Sequence, residues 1–168
     1  MKHTLNLRAV LIWLALALFL TGCSIETPRA KTGEPAPAFS LQQLNGEPLH
    51  FPADLKGKVV AIQFWADWCP PCIREMRLLA PAYASYQARG VVILAINLRQ
   101  EKATVMKLVK QLNAPYEFLL DTDGEVAQKY GVETLPTSFI VDREGRIKTR
   151  ILGETTPETF EQLIQSVL

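Results

Sequence analysis

Apolar residues along the chain fall into two kinds of run, near-continuous and helically spaced, and together they predict the elements. Residues 58–66 and 91–96 are almost unbrokenly apolar, the pattern of strands covered on both faces of a largely parallel sheet. Parallel neighbours need a crossover. Residues 70–89 supply a helix for it, with Met76, Leu79, Ala80 and Tyr83 at core spacing, Pro81 as a kink and Gly90 as the stop. A second helix over 104–112 repeats Val105, Leu108, Val109 and Leu112 on one face. Residues 118–120 then predict a short strand, and 123–130 a short helix closed by Gly131. Residues 137–142 and 147–152 predict an antiparallel hairpin. The last helix begins at Pro157 and buries Phe160, Leu163, Ile164 and Val167. Ahead of all these, residues 39–41 and 49–51 predict a small hairpin around Asn45 and Gly46, which tolerate the positive φ of tight turns. After that hairpin the order is β-α-β-α-β-α-β-β-α, an α/β fold with a mixed sheet and helices on both faces.

The N-terminus has a different pattern. Lys2 and Arg8 precede twelve consecutive apolar residues, 9–20, short for a bilayer span and without a polar face, as in a signal peptide over residues 1–22. The run ends Leu20-Thr21-Gly22-Cys23, which resembles the lipobox of bacterial lipoproteins. That resemblance implies cleavage before Cys23 and lipid attachment to it, and it accounts for the odd cysteine. Residues 24–38 are polar and proline-rich, with Pro28, Pro35 and Pro37, and read as a tether that stretches ~45–50 Å at ~3.3 Å per residue. Residues 39–168 are then the folded domain.

Charge separates few possibilities. The chain has 18 basic and 17 acidic residues; without Lys2 and Arg8 the balance is 16 against 17, and nothing points to nucleic acid. About 146 residues remain after the signal segment, enough for one well-buried core.

The candidate chemistry lies where the first long strand ends. Residues 64–72 read Phe-Trp-Ala-Asp-Trp-Cys-Pro-Pro-Cys. A strand running into a helix puts Cys69 at the first helical turn, where unpaired N–H groups and the helix dipole favour a thiolate. Cys72 returns one turn later, near enough to close a disulfide or resolve a mixed one. Pro70 and Pro71 suit a helix start, where a missing N–H costs nothing. Half a zinc site and an isolated structural disulfide are the competing readings of such a pair. Zinc needs about four ligands, and His3, Cys23 and His50 are the only other cysteine or histidine residues; two of these fall in the N-terminal segment. A metal site is therefore not expected.

These residues resemble the thioredoxin superfamily and, within it, the TlpA/ResA-like group of membrane-tethered extracytoplasmic thiol-disulfide oxidoreductases. The resemblance covers about residues 33–168 and rests on the 64–72 block, on Glu75 three residues after the second cysteine, and on Leu135-Pro136-Thr137. It implies a thioredoxin fold with a central insertion, supplied by the strand at 118–120 and the helix at 123–130. It implies a Cys69–Cys72 dithiol that cycles with its disulfide and needs no cofactor. Its partners would be exported protein thiols and disulfides, apocytochrome c among them, and an electron donor in the membrane; its place would be the periplasmic side of a bacterial membrane.

The resemblance also implies roles for further residues. Pro136 would follow a cis bond, leaving the backbone of Leu135 free to pair with an extended substrate segment. Glu75 would be a partly buried acid with a raised pKa that exchanges protons with the cysteines. In thioredoxin that duty belongs to an aspartate six residues before the first cysteine; here the position is Gln63, which cannot ionise. A solvated first-turn carboxylate is the alternative for Glu75. Trp65 and Trp68 are expected to pack, with Trp68 also bordering the thiol and contacting substrate. Thioredoxins usually carry proline five residues after the second cysteine, and Arg77 there moves or removes the helix kink.

Three functions fit: a reductase of exported protein disulfides, an oxidase or isomerase on the same fold, and a tethered thiol or metal carrier. A copper carrier of this fold would need a distal histidine, which is missing. A peroxidase would need threonine where Ala66 stands. The reductase is the leading reading.

Overall fold

The computed structural model describes residues 30–168. The apolar N-terminal run, Cys23 and the first part of the expected tether lie outside the described residues. Seven strands form one sheet: β1 (Phe39–Gln43), β2 (Leu49–Phe51), β3 (Val59–Trp65), β4 (Val91–Leu98), β5 (Glu117–Asp121), β6 (Thr137–Val141) and β7 (Ile147–Leu152), in the order β2-β1-β5-β4-β3-β6-β7. The central β3, β4 and β5 run parallel, and antiparallel partners flank them on both sides. The sheet is mixed, as the pattern predicts.

Period-2 alternation distributes β3 between two cores. Val59, Ala61 and Trp65 join Met76, Leu79, Tyr83, Tyr86, Val105, Phe160 and Ile164 on one face. Those partners come from helices α1 (Pro70–Leu79), α2 (Tyr83–Ala88), α3 (Lys102–Leu112) and α5 (Pro157–Gln165). Val60, Ile62 and Phe64 join the opposite core, with Leu94, Ile96, Leu119 and the apolar residues of β1 and β2. Helix α4 (Glu125–Lys129) closes that side with Val126 and Ala127. Both faces carry helices, unequally shared.

The crossover helix is interrupted where the sequence places its kink. α1 runs straight through Arg77 to Leu79; a 3-10 turn over Ala80–Ala82 then surrounds Pro81, and α2 follows. Proline lacks the N–H for the ladder and its ring crowds the preceding turn. Gly90, at φ +84°, ends the unit in a conformation that favours glycine.

One boundary differs from expectation. Residues 30–38, read as tether, are packed onto the domain. Gly33 N–H donates to the Ile147 carbonyl at 2.7 Å, Ile147 N–H donates to the Glu34 carbonyl at 3.0 Å, and Ala36 N–H donates to the Gly145 carbonyl at 2.9 Å. The Tyr130 hydroxyl donates to the Pro37 carbonyl at 2.8 Å, and Ala30 and Ala36 are buried. The attachment is made mostly by backbone, so side-chain periodicity carries no sign of it. Among the described residues no helix is long and apolar enough to cross a membrane.

Candidate active site

The junction between β3 and α1 is short and fixes the first cysteine. Cys69 is the N-cap of α1, in extended conformation, and its N–H donates to the Ala66 carbonyl at 3.2 Å. Its sulfur accepts from the Cys72 N–H at 3.3 Å. Pro70 and Pro71 occupy the intervening positions and have no N–H to offer. Cys69 and Cys72 are joined in a disulfide, with their Cα atoms 5.3 Å apart. Cys69 keeps slight exposure and Cys72 has none, so of the two cysteines only Cys69 reaches the surface.

Glu75 lies one turn further along α1 and is 1% exposed. Its two oxygens are held from different elements: Oε2 accepts from the Gln63 amide on β3, and Oε1 accepts from the Thr155 N–H at 3.0 Å in the loop after β7. Burial raises the carboxyl pKa, both hydrogen bonds lower it, and the nearby Glu154 charge raises it again; burial is the largest effect and the pKa is pushed up to about 7. Glu154 itself is paired with Arg74 at 2.7 Å, closing the loop after β7 onto α1. The solvated-carboxylate alternative for Glu75 is thereby excluded.

The antiparallel register of β3 with β6 pairs Phe64 with Thr137. It brings the Leu135-Pro136 peptide bond, which is cis, to the same end of the sheet as the cysteines. The Pro136 carbonyl accepts from the Gly153 N–H at 2.9 Å. Trp68, Leu98, Val132, Glu133, Thr134 and Leu135 line a cavity of about 380 Å³ at this end.

Trp65 and Trp68, both expected to pack, part company here. Trp65 is fully buried, whereas Trp68 is 67% exposed and forms a wall of that cavity. Sequence reasoning also missed the Thr155 N–H on Glu75, the ion pair between Arg74 and Glu154, and a second cis bond at Phe51-Pro52. It noted Gln63 only as a residue unable to ionise, and not as a donor to Glu75. A glutamine inside an otherwise apolar strand was the available signal. Cys23 lies outside the described residues.

Residues 32–150 match the model of the AhpC/TSA family. Over 99% of its length the chain is 36% identical to the thiol-disulfide oxidoreductase ResA of Geobacillus thermodenitrificans, of which it covers 97%. The chain belongs to this family of thiol-disulfide oxidoreductases. Among solved structures, one from Chlorobium tepidum, assigned as thiol:disulfide interchange protein DsbE, superposes with a TM-score of 0.77 at 31% identity, over 82% of this chain and 98% of that one. StoA of Bacillus subtilis superposes with a TM-score of 0.67 at 27% identity, over 76% and 96%. The fold is the thioredoxin fold, and the protein is an oxidoreductase of the ResA and DsbE type.

In this oxidoreductase the raised pKa of Glu75 has a sign that unfolding can read. Below about pH 4.5 the carboxyl is protonated in both states and costs nothing. Between about 4.5 and 7 the unfolded chain releases the proton while the folded chain keeps it, so stability falls as pH rises. The loss reaches about 3 kcal/mol above pH 7. Urea unfolding of the oxidised protein from pH 4.5 to 8 should show this decline, and Glu75→Gln should remove most of it. Parallel curves for the two proteins would mean that Glu75 titrates as an ordinary carboxylate.

Proposed function

We propose that the protein is a membrane-tethered extracytoplasmic reductase of protein disulfides, with the Cys69–Cys72 dithiol as its redox group and no other cofactor. Exported proteins whose cysteines must be kept reduced, apocytochrome c among them, are its substrate class. The observation that carries the direction is the scarcity of donors at Cys69. A disulfide becomes a strong oxidant when its reduced form is unusually stable. Here the Cys69 sulfur accepts from the N–H of Cys72, while Pro70 and Pro71 supply no N–H. An ionised Glu75 nearby further disfavours a second thiolate.

In the reductive cycle the Cys69 thiolate attacks one sulfur of a substrate disulfide, forming a mixed disulfide and releasing a substrate thiolate, which takes up a proton. Glu75, with a pKa of about 7, accepts the proton of the Cys72 thiol. Cys72 then attacks the Cys69 sulfur, closes the disulfide and expels the second substrate thiolate. Two electrons have passed to the substrate, and a dithiol donor in the membrane returns them by the same exchange run in reverse. Leu135, beside the cis bond, offers its backbone to an extended substrate segment, and Trp68 covers the segment's side chains.

Equilibration of the Cys69–Cys72 pair with a redox buffer tests the direction. A potential clearly below about −180 mV, the region of protein disulfide isomerase, is expected; a value near or above it assigns the protein as an oxidase or isomerase instead. For the proton role, Glu75→Gln should slow exchange and flatten the pH–rate profile near 7, and a profile that overlays the parent's would remove Glu75 from the mechanism.

Tethering through Cys23 is supported by the Leu20-Thr21-Gly22-Cys23 sequence after the apolar run. With residues 30–38 attached to the domain, residues 23–29 span at most ~25 Å when fully extended, which holds the domain near the bilayer surface. Cys23→Ala should abolish fatty-acid labelling and either release the protein from membranes or leave the precursor uncleaved. A labelled, membrane-bound variant would refute the anchor.

A further inference from the structure

The chain between β3 and α1 passes through Ala66, Asp67 and Trp68, and this turn carries Cys69. Side-chain packing holds it poorly at its outer end. Trp68 is 67% exposed, Asp67 is half-buried, and the two prolines that follow provide no N–H. Its attachment comes from a residue that belongs to neither element. Gln100 Oε1 accepts from the Asp67 N–H at 2.9 Å, and Gln100 Nε2 donates to the Asp67 carboxylate. The same Oε1 accepts from Asn97 Nδ2 at 2.9 Å.

The support behind Gln100 is rigid. Asn97 is 1% exposed and lies in register with Trp65, the last residue of β3. Arg99 adopts a left-handed conformation, at φ 55°, and its N–H donates to the Asp121 carbonyl at 2.9 Å. The loop that presents Gln100 is thus fixed to β5 by the residue before it, and its amide is oriented by Asn97. A side chain held in this way can define where a neighbouring loop sits.

We propose that Gln100 is a positioning residue for Cys69: through Asp67 it sets the turn that presents the nucleophile and Trp68 to a substrate. It rests on the thiol-disulfide exchange reading of the Cys69–Cys72 pair and extends it to a residue 31 positions away from the nucleophile. The bonds act in two ways. They fix the backbone from which Cys69 projects, and exchange requires near-linear approach of three sulfurs, so a small displacement is costly in rate. They also hold the Asp67 carboxylate against the Gln100 amide. Without that donor the carboxylate can turn toward Cys69, two residues on, and a charge brought closer disfavours a thiolate there.

The polarity of the network can be exchanged without dismantling it. Gln100→Glu keeps the acceptor for the Asp67 N–H and for Asn97 but loses the donor and sets two carboxylates together. Adding Asp67→Asn to Gln100→Glu returns a donor to the pair, running in the opposite direction. Reduced protein is mixed with oxidised glutathione at pH 7, and both the second-order rate constant and the equilibrium constant are measured, with the melting temperature recorded alongside. Gln100→Glu and Gln100→Ala should each react about tenfold more slowly than the parent and shift the equilibrium constant. The double variant should recover to within about threefold of the parent rate. Single variants that stay within about twofold of the parent in both constants overturn the proposal. So does a loss that the double variant fails to restore, or that follows the melting temperature alone, because Gln100 is then only a structural residue. A parent protein that does not exchange with glutathione at all is a different failure, since it removes the exchange reading itself and this proposal with it. If Gln100→Ala does not fold, the Gln100→Glu and double-variant pair still decides.

Discussion

The antiparallel pairing of β3 with β6 is the constraint on which the site depends. β3 is buried at all seven positions and bonded on both edges, so its end is among the least movable points in the molecule. The helix that starts five residues later inherits that rigidity. Because β6 runs the other way, its first residue must lie beside the end of β3, and Pro136 arrives at the cysteines' end of the sheet from more than sixty residues along the chain. β7 returns to that end, where Leu152 pairs with Thr137, and the loop after it delivers the Thr155 N–H to Glu75. Strand register and the short β3–α1 junction together bring disulfide, cis bond and buried acid to one end of the sheet.

Burial decides the state of Glu75. Two hydrogen bonds favour the carboxylate, and a fully solvated glutamate with such partners would titrate lower than usual. Removal from water outweighs them both. The result is a group whose two protonation states are close in free energy near neutral pH, which is the condition for efficient proton transfer in both directions. Gln63 contributes by being uncharged: an aspartate in its place would set a second carboxylate against the first.

Elements carried by side-chain pattern were legible in the sequence. The continuous apolar runs of β3 and β4, the break at Pro81, the stop at Gly90 and the hairpin of β6 and β7 all stand where the residues place them, within one or two positions at their ends. Legibility failed where a backbone group was the partner. The attachment of residues 33–36 to the start of β7, the Thr155 N–H on Glu75 and the Asp67 N–H on Gln100 leave no periodic trace. Cis bonds behave alike. Pro136 was expected cis only through family resemblance, and Pro52, without such help, was not anticipated, because only about 5–6% of X–Pro bonds are cis.

The two prolines inside the redox ring have a consequence beyond the donors they remove. Each locks its own φ near the helical value, so the chain between Cys69 and Cys72 has few alternative shapes even when the disulfide is open. Little freedom is then surrendered on closing it. Cys72 is then held at high effective concentration beside the Cys69 sulfur, which in the proposed cycle would let a mixed disulfide be resolved from within before a second external thiol arrives. On the proposed reductive reading, the ring would behave as a preloaded clasp, tending to shut and to pass its electrons outward.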